Sequence, residues 1–130
     1  MIQVKIVTPN GRYNTFEASK LHAHTAYGEC TLLPNHMPLV AMLEISRLTL
    51  TVDGNEKEFA ISSGILHFNK NQAYILVDAI EGKEEIDLER AKKSAERARK
   101  RLEKKDADTS IRRAEVSLQR ALNRIRIKNG

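Results

Sequence analysis

The chain has 130 residues, of which 41% are hydrophobic, 30% are charged and 5% are aromatic, and tryptophan is absent. This length predicts one domain, or one domain with an appendage, and excludes a large core with a deep active-site cleft. The single cysteine, Cys30, excludes an internal disulfide and fits a reducing compartment. No apolar run approaches the ~20 residues of a membrane span, and the first four residues begin as a strand rather than as a signal peptide.

The net charge of +5 is distributed unevenly. Residues 1–85 contain 7 Lys and Arg against 10 Asp and Glu, a net charge of −3, whereas residues 86–130 contain 15 against 7, a net charge of +8. This change in composition predicts two regions, 1–84 and 85–130. A basic C-terminal region favours an anionic partner, although a solvated helical surface gives the same composition.

Residues 1–84 show the period of short β-strands. Ile2, Val4 and Ile6 alternate with polar neighbours, as in a half-buried strand. Turn signals separate the apolar segments, at Pro9–Gly11, Tyr27–Glu29, Asp53-Gly54 and Asn69–Asn71. Strands at this spacing, with little helical period, predict an antiparallel β-sandwich of eight to ten strands.

From Ile86 the apolar period changes to about three and a half residues, which predicts two helices. Asp87 is the predicted N-cap of the first helix, and Asp108 or Thr109 that of the second. The short polar segment 104–108 between them favours an antiparallel hairpin. The predicted seam consists of Leu88, Ala91, Ala95, Ala98 and Leu102 in the first helix, and Ile111, Ala114, Leu118, Ala121 and Ile125 in the second.

This seam is too thin to hold the helices together easily. Alanine buries little area, and at ~25 cal/mol/Å² the apolar gain is small beside the entropy of ordering some 40 residues. We therefore expect the hairpin to need docking on the sandwich, a ligand or another chain, and to be a candidate mobile element.

The two predicted helices repeat the pattern RAxxSxxRAxxR with an offset of 23 residues. Each arginine trio falls in a narrow stripe beside the alanine seam. The trios are Arg90, Arg97 and Arg101, and Arg113, Arg120 and Arg124. Guanidinium forks suit phosphate oxygens, but arginines with their heads in water give the same spacing, and periodicity alone favours this solvated face.

The strand-rich region offers little chemistry. His22 and His24 share a strand face, but no cysteine or carboxylate is placed to complete the four ligands of a structural zinc, so the sequence predicts no metal site. Neither a GxSxG nucleophile elbow nor a glycine-rich phosphate loop occurs. Catalysis by this chain alone is not expected.

Four segments carry a resemblance to a known family, namely VTPNG, LLPNHMPLVAMLEIS, AISSGIL and IDLERA. They resemble the epsilon subunit of bacterial rotary proton-translocating ATP synthases, and the resemblance extends over essentially the whole chain. It implies a ten-stranded sandwich followed by a two-helix hairpin. It also implies a non-catalytic rotor subunit of the central stalk, peripheral at the cytoplasmic face of the bacterial plasma membrane, that couples proton transport to ATP synthesis.

The same resemblance implies partners and a ligand. The sandwich would bind the gamma subunit and the c-ring, and an extended hairpin would reach the alpha and beta subunits of the catalytic head and inhibit ATP hydrolysis. ATP, as a regulatory ligand, would favour the compact hairpin. The implied ATP-binding residues are Glu81, Ile86, Asp87, Arg90, Ala91, Arg97, Arg120 and Arg124, and the implied inhibitory contacts are Arg101 and Arg113.

Two alternatives come from other classes of protein. A nucleic-acid-binding module would use the basic helices and lose affinity steeply with salt, but the helices lack aromatic residues for stacking on single strands. A stand-alone enzyme lacks a nucleophile or metal constellation. With the resemblance, we expect no nucleic-acid partner.

Overall fold

The protein is described here by a computed structural model that covers residues 1–104 and 111–130. The chain divides into two compact units, Met1–Gly82 and Lys83–Gly130. The predicted caps Asp108 and Thr109, and most of the predicted turn 104–108, lie outside the described residues.

The first unit is one mixed sheet of ten strands. The strands are β1 (Ile2–Thr8), β2 (Gly11–Ala18), β3 (Lys20–Thr25), β4 (Gly28–Leu32), β5 (Leu39–Leu43), β6 (Ser46–Val52), β7 (Asn55–Ile61), β8 (Gly64–Asn69), β9 (Gln72–Val77) and β10 (Ile80–Gly82). Their order across the sheet is β10-β7-β6-β3-β5-β8-β9-β1-β2, and β4 pairs with β3. The predicted fold class is confirmed, with one difference: β1 and β9 pair in parallel, whereas the other pairs are antiparallel.

The sheet curls until its ends approach each other. Tyr13 and Phe16 of β2 contact Phe59 of β7, with ring centroids 6.3 and 5.6 Å apart. Because β2 and β7 lie near opposite ends of the strand order, this contact makes the sheet a nearly closed sandwich. Its core consists of large aliphatic and aromatic side chains, among them Ile2, Ile6, Leu21, Leu48, Leu50, Leu66, Phe68 and Ile75.

Tight turns and one close approach fix the register. Asp53 and Gly54 have φ of 52° and 79°, and Lys70 and Asn71 have φ of 49° and 60°, the signs that type I′ hairpin turns require. At Gly64, where β8 pairs with both β5 and β9, a Cβ atom would collide with the backbone of the opposite strand β9. Glycine is therefore required there by space rather than by its backbone angle.

The second unit contains a 3₁₀ turn (Lys83–Glu85) and the helices α1 (Leu88–Lys104) and α2 (Ile111–Asn129). The Lys128 ammonium donates a hydrogen bond to the Lys83 carbonyl at 3.1 Å, so α2 ends beside the segment that precedes α1. The helices are therefore antiparallel, as predicted. Neither described helix is long and apolar enough to cross a membrane.

The buried residues of the helices differ in part from the predicted seam. Ala91, Ala95 and Ala98 are buried in α1, and in α2 the buried residues are Ala114, Ala121, Asn123 and Ile127. Ile111 is 49% exposed, and Leu88, Leu102, Leu118 and Ile125 are only half-buried.

At 100° per residue, Asn123 and Ile127 lie on the side of α2 opposite Ala114 and Ala121. The last turns of α2 are thus buried on a second face, which the sequence pattern missed because the polar residues Arg120 and Asn123 interrupt it.

Candidate functional site

The first turn of α1 is organised by Asp87. Its carboxylate accepts a hydrogen bond from the backbone N–H of Arg90 at 3.2 Å, and its carbonyl accepts one from the N–H of Ala91 at 3.0 Å. These contacts are those of an N-cap residue, so the predicted cap is confirmed.

Beside this cap lies an open depression of about 500 Å³. It is lined by Asp87, Glu89, Arg90, Lys93, Glu96 and Arg97, all of which belong to α1 or its cap. Three of these side chains are acidic and three are basic, so their charges balance. The Arg97 guanidinium donates to the Ser94 hydroxyl at 3.3 Å, which holds this side chain along the helix.

The structure brings part of the predicted ATP-binding set together. Asp87, Arg90 and Arg97 share the depression, whereas Ile86 and Ala91 are buried at 3% and 4% exposure and do not line it. Glu81 lies on β10, in the first unit, opposite Ala60 of β7.

The remaining predicted arginines are divided between two environments. Arg120 and Arg124 are half-buried on α2 and do not line the depression, and Arg101 and Arg113 are exposed. Since Lys128 lies beside Lys83 and each helical residue rises about 1.5 Å, Arg120 and Arg124 lie about level with the first turns of α1. Arg113 lies toward the other end of the hairpin.

The sandwich has an exposed apolar surface on the outer side of four adjacent strands. Met42 of β5 pairs with Ile65 of β8, Ile65 pairs with Leu76 of β9, and Leu76 pairs with Val7 of β1. Met42, Ile65 and Leu76 are 66%, 43% and 49% exposed. We call this row the apolar face. A contiguous patch of this kind is typical of a protein–protein contact.

A second cluster, on β3 and β4, was missed by the sequence analysis. Glu29 of β4 pairs with His24 of β3, and Thr31 pairs with His22. The Glu29 carboxylate lies 3.8 Å from Nε2 of His22 and 3.6 Å from Nδ1 of His24. The expectation that no carboxylate accompanies the two histidines is therefore wrong. A hairpin with a two-residue loop at Ala26-Tyr27 predicts this register, whereas the predicted turn at Tyr27–Glu29 places Glu29 in the loop.

Two family models match the chain and together cover nearly all of it. One, described as ATP synthase, Delta/Epsilon chain, beta-sandwich domain, matches residues 1–83. The other, described as ATP synthase, Delta/Epsilon chain, long alpha-helix domain, matches residues 84–129. The chain belongs to the delta/epsilon-chain family of ATP synthases. The resemblance to bacterial epsilon subunits is thereby confirmed.

Individual relatives agree with this membership. The ATP synthase epsilon chain of Clostridium novyi is 44% identical over 124 residues, which cover 95% of this chain and 94% of the relative. That of Bacillus velezensis is 41% identical over 124 residues with the same coverage. That of Levilactobacillus brevis is 39% identical over 131 residues and covers 98% of this chain and 94% of its own.

Solved structures share the fold. A chain in the Euglena gracilis mitochondrial ATP synthase, in an assembly of OSCP, F1 and c-ring, matches with a TM-score of 0.78 at 24% identity, over 91% of this chain and 75% of that chain. A chain in the central stalk and c-ring of Tetrahymena thermophila mitochondrial ATP synthase matches with a TM-score of 0.55 at 15% identity, over 98% of this chain and 93% of that chain.

Proposed function

We propose that this chain is a non-catalytic rotor subunit in the central stalk of a bacterial proton-translocating ATP synthase, peripheral at the cytoplasmic face of the membrane. Its sandwich binds the gamma subunit and the c-ring. Its helical hairpin is a regulatory element whose extended form inhibits ATP hydrolysis and whose compact form binds ATP. Membership in the family supports the first part, and the arginine-bearing, thinly packed hairpin carries the second.

The surface of the sandwich supports a role in assembly. A subunit that turns with its partners needs contacts that resist shear, and the apolar face offers a contiguous area for one of them. A second apolar surface lies in the loop between β4 and β5, where Leu33 and Met37 are 54% and 72% exposed. Pro34 and Pro38 restrict this loop, so both side chains are presented from a stiff segment. Two apolar surfaces suit two partners, the gamma subunit and the c-ring.

The packing of the hairpin supports a conformational switch. The seam between α1 and α2 is formed mainly by alanines, each of which removes little apolar area from water. The free energy that holds the helices together is therefore small, and a bound ligand can change the balance between paired and separated helices. An anion that contacts both helices stabilises only the paired form, by linkage.

The placement of the arginines supports ATP as that ligand. Arg90 and Arg97 face the depression, and Lys93 adds a third cation. Asp87, Glu89 and Glu96 offset this charge, so the lining of the depression has no positive excess for a triphosphate. Arg120 and Arg124 supply the missing charge from α2, which makes the site dependent on both helices. Asp87 remains near the entrance and accepts a hydrogen bond from a ribose or a base.

The positions of the other two predicted arginines support the proposed inhibitory form. Arg101 and Arg113 are exposed in the paired hairpin and lie away from the first turn of α1. Both therefore lie where acidic groups of the alpha and beta subunits can reach them when the hairpin extends. In a reconstituted enzyme, the double variant Arg101→Ala/Arg113→Ala should hydrolyse ATP faster than the parent under inhibiting conditions, without altered ATP binding by the isolated chain.

Calorimetry of the isolated chain with ATP and GTP tests the ligand. We expect one ATP per chain, weaker binding of GTP, and an affinity for ATP that falls about tenfold or more in Arg90→Ala, because a hydrogen bond to a charged group is lost. The matched control is Arg99→Ala, an exposed arginine of α1 outside the stripe, which should bind as the parent does.

Equal losses of ATP affinity in Arg90→Ala and Arg99→Ala would show that the arginine stripe of α1 is a solvated face and not a binding site. If ATP at millimolar concentration gave no heat of binding, the proposal that ATP is a regulatory ligand would fail. The proposed role in assembly would be unaffected. A nucleic-acid-binding module, in contrast, would bind with a steep dependence on salt and little dependence on the base.

A further inference from the structure

The cluster on β3 and β4 contains the donor set of a metal site. Two imidazole nitrogens and one carboxylate oxygen, from His22, His24 and Glu29, lie within 4.8 Å of one another. The two histidine rings meet edge to face, with centroids 5.5 Å apart. We propose that these three residues bind a divalent transition-metal ion, for which Zn²⁺ is the best match. This site is independent of the nucleotide and partner proposals above.

The backbone places these side chains on one face. His22 and His24 are two residues apart on β3, and Glu29 occupies the position of β4 directly opposite His24. The strand β3 is itself paired with β4 on one side and with β5 and β6 on the other, so its backbone is fixed. The cluster therefore needs only side-chain rotations to close around an ion.

The two distances from the Glu29 carboxylate fit such a closure, and the imidazole nitrogens lie within 4.8 Å of each other. Zn²⁺ binds imidazole nitrogen at about 2.0–2.1 Å and carboxylate oxygen at about 2.0–2.2 Å. In tetrahedral geometry these bond lengths separate neighbouring ligand atoms by roughly 3.3–3.5 Å. The observed 3.6 and 3.8 Å from the Glu29 carboxylate to the two imidazoles exceed this by only a few tenths of an ångström. Side chains that are 31%, 38% and 66% exposed can adjust by that amount.

The hydrogen bond made by Thr31 supports metal binding over chance proximity. Nδ1 of His22 lies 2.8 Å from the Thr31 hydroxyl. When Nδ1–H donates this bond, Nε2 is left as the lone-pair nitrogen, and Nε2 is the atom directed at Glu29. Histidine ligands usually have their other ring nitrogen held by such a partner. Thr31 is therefore a positioning residue of the site.

The type of donor selects the class of ion. Imidazole nitrogen with one carboxylate suits zinc and its transition-metal neighbours, whereas Mg²⁺ and Ca²⁺ prefer oxygen ligands throughout. Three protein ligands leave a fourth position for water or for a group from another chain, as in open zinc sites. Ions of this class compete with protons for imidazole, so binding should weaken on acidification.

Cys30 does not belong to this set. It lies between Glu29 and Thr31 on β4 and therefore points to the opposite side of the strand, where it is half-buried against the core. Burial also raises the pKa of its thiol, which disfavours the thiolate that zinc requires. A Cys30→Ser variant is thus a control that should keep the ion.

The test is calorimetric titration of the full chain with Zn²⁺ at neutral pH, together with the visible absorption of bound Co²⁺. We expect one ion per chain and an affinity that falls about tenfold or more in His24→Gln and in Glu29→Gln. Thr31→Val should weaken binding about tenfold, as loss of an outer hydrogen bond to a ligand does. The control His67→Gln removes an exposed histidine of β8 and should bind as the parent does.

NMR of the unmodified chain provides a readout that needs no variant. Ring resonances of His22 and His24 should shift with Zn²⁺, and those of His36 and His67 should not. Absence of Zn²⁺ binding, equal binding by His24→Gln, or an equal loss of affinity in His67→Gln would overturn the proposal and leave the cluster as two close His–Glu contacts. Unfolding in urea with EDTA should be the same for all variants, which separates lost ligation from lost fold.

Discussion

The sandwich and the hairpin are built from different kinds of apolar contact. The sandwich encloses large side chains such as Phe68, Leu48 and Ile75, all fully buried. The hairpin joins its helices mainly through alanines, and several of its larger apolar residues remain partly exposed. At about 25 cal/mol/Å², the first arrangement stabilises its unit strongly and the second only weakly. One chain thus combines a unit with a large, fully buried core and a unit with a thin apolar seam.

The largest effect should come from the core of the sandwich. Phe68→Ala removes a fully buried ring and leaves a cavity, so we expect the free energy of unfolding to fall by about 3–5 kcal/mol. Urea denaturation monitored by circular dichroism measures this loss. Tyr27→Ala, at a tyrosine that is 97% exposed, should change the same quantity by no more than about 0.5 kcal/mol. Similar losses in both variants would mean that the core is not the main source of stability.

A smaller effect, confined to the helices, should follow from overfilling the seam. Ala121 is 0% exposed, so Ala121→Leu forces α1 and α2 apart and should cost about 1–3 kcal/mol. Helix propensity changes little between alanine and leucine, so the effect reports packing. Amide hydrogen exchange should accelerate in both helices and stay unchanged in β5, β8 and β9. Ser117→Leu, at an exposed position of α2, is the control that should leave exchange unaltered.

The smallest effect should come from the cap of α1. Asp87→Ala removes the acceptor of the Arg90 amide and should cost about 1 kcal/mol of helix stability in the absence of nucleotide. Faster exchange of that amide, with little change in the middle of α1, is the expected signature. Glu89→Ala changes an exposed carboxylate in the same turn without removing the cap. If Glu89→Ala accelerated exchange of the Arg90 amide equally, the loss of negative charge in the first turn, rather than the loss of the cap, would be responsible.

Much of the fold follows from local patterns in the sequence. Alternation in β1 and the turn at Asp53-Gly54 are properties of a few neighbouring residues, and the structure contains both. The parallel pairing of β1 with β9 joins segments more than sixty residues apart, and no local pattern specifies which distant strand is the partner. The family resemblance implied the ten strands without specifying that pairing.

The sites were less predictable because they depend on register and on polar residues inside apolar faces. The turn predicted at Tyr27–Glu29 assigned Glu29 to a loop, whereas it lies on β4 opposite His24. In α2, Asn123 is buried on a face that a hydrophobic pattern does not include. Asp87 was predictable because an N-cap needs only its own helix. The roles of Arg120 and Arg124 depend on a second helix and remain predictions.

The parallel pairing of β1 with β9 also bears on how the chain folds during synthesis. β1 leaves the ribosome before its partner β9, which follows only after most of the sandwich has been made. β1 and β2 can form a hairpin at once, but one side of that hairpin keeps unpaired backbone groups until residues 72–77 emerge. Contacts of such long sequence separation slow folding. The interval before β9 arrives is therefore the period in which the nascent sandwich is most exposed to wrong strand pairing.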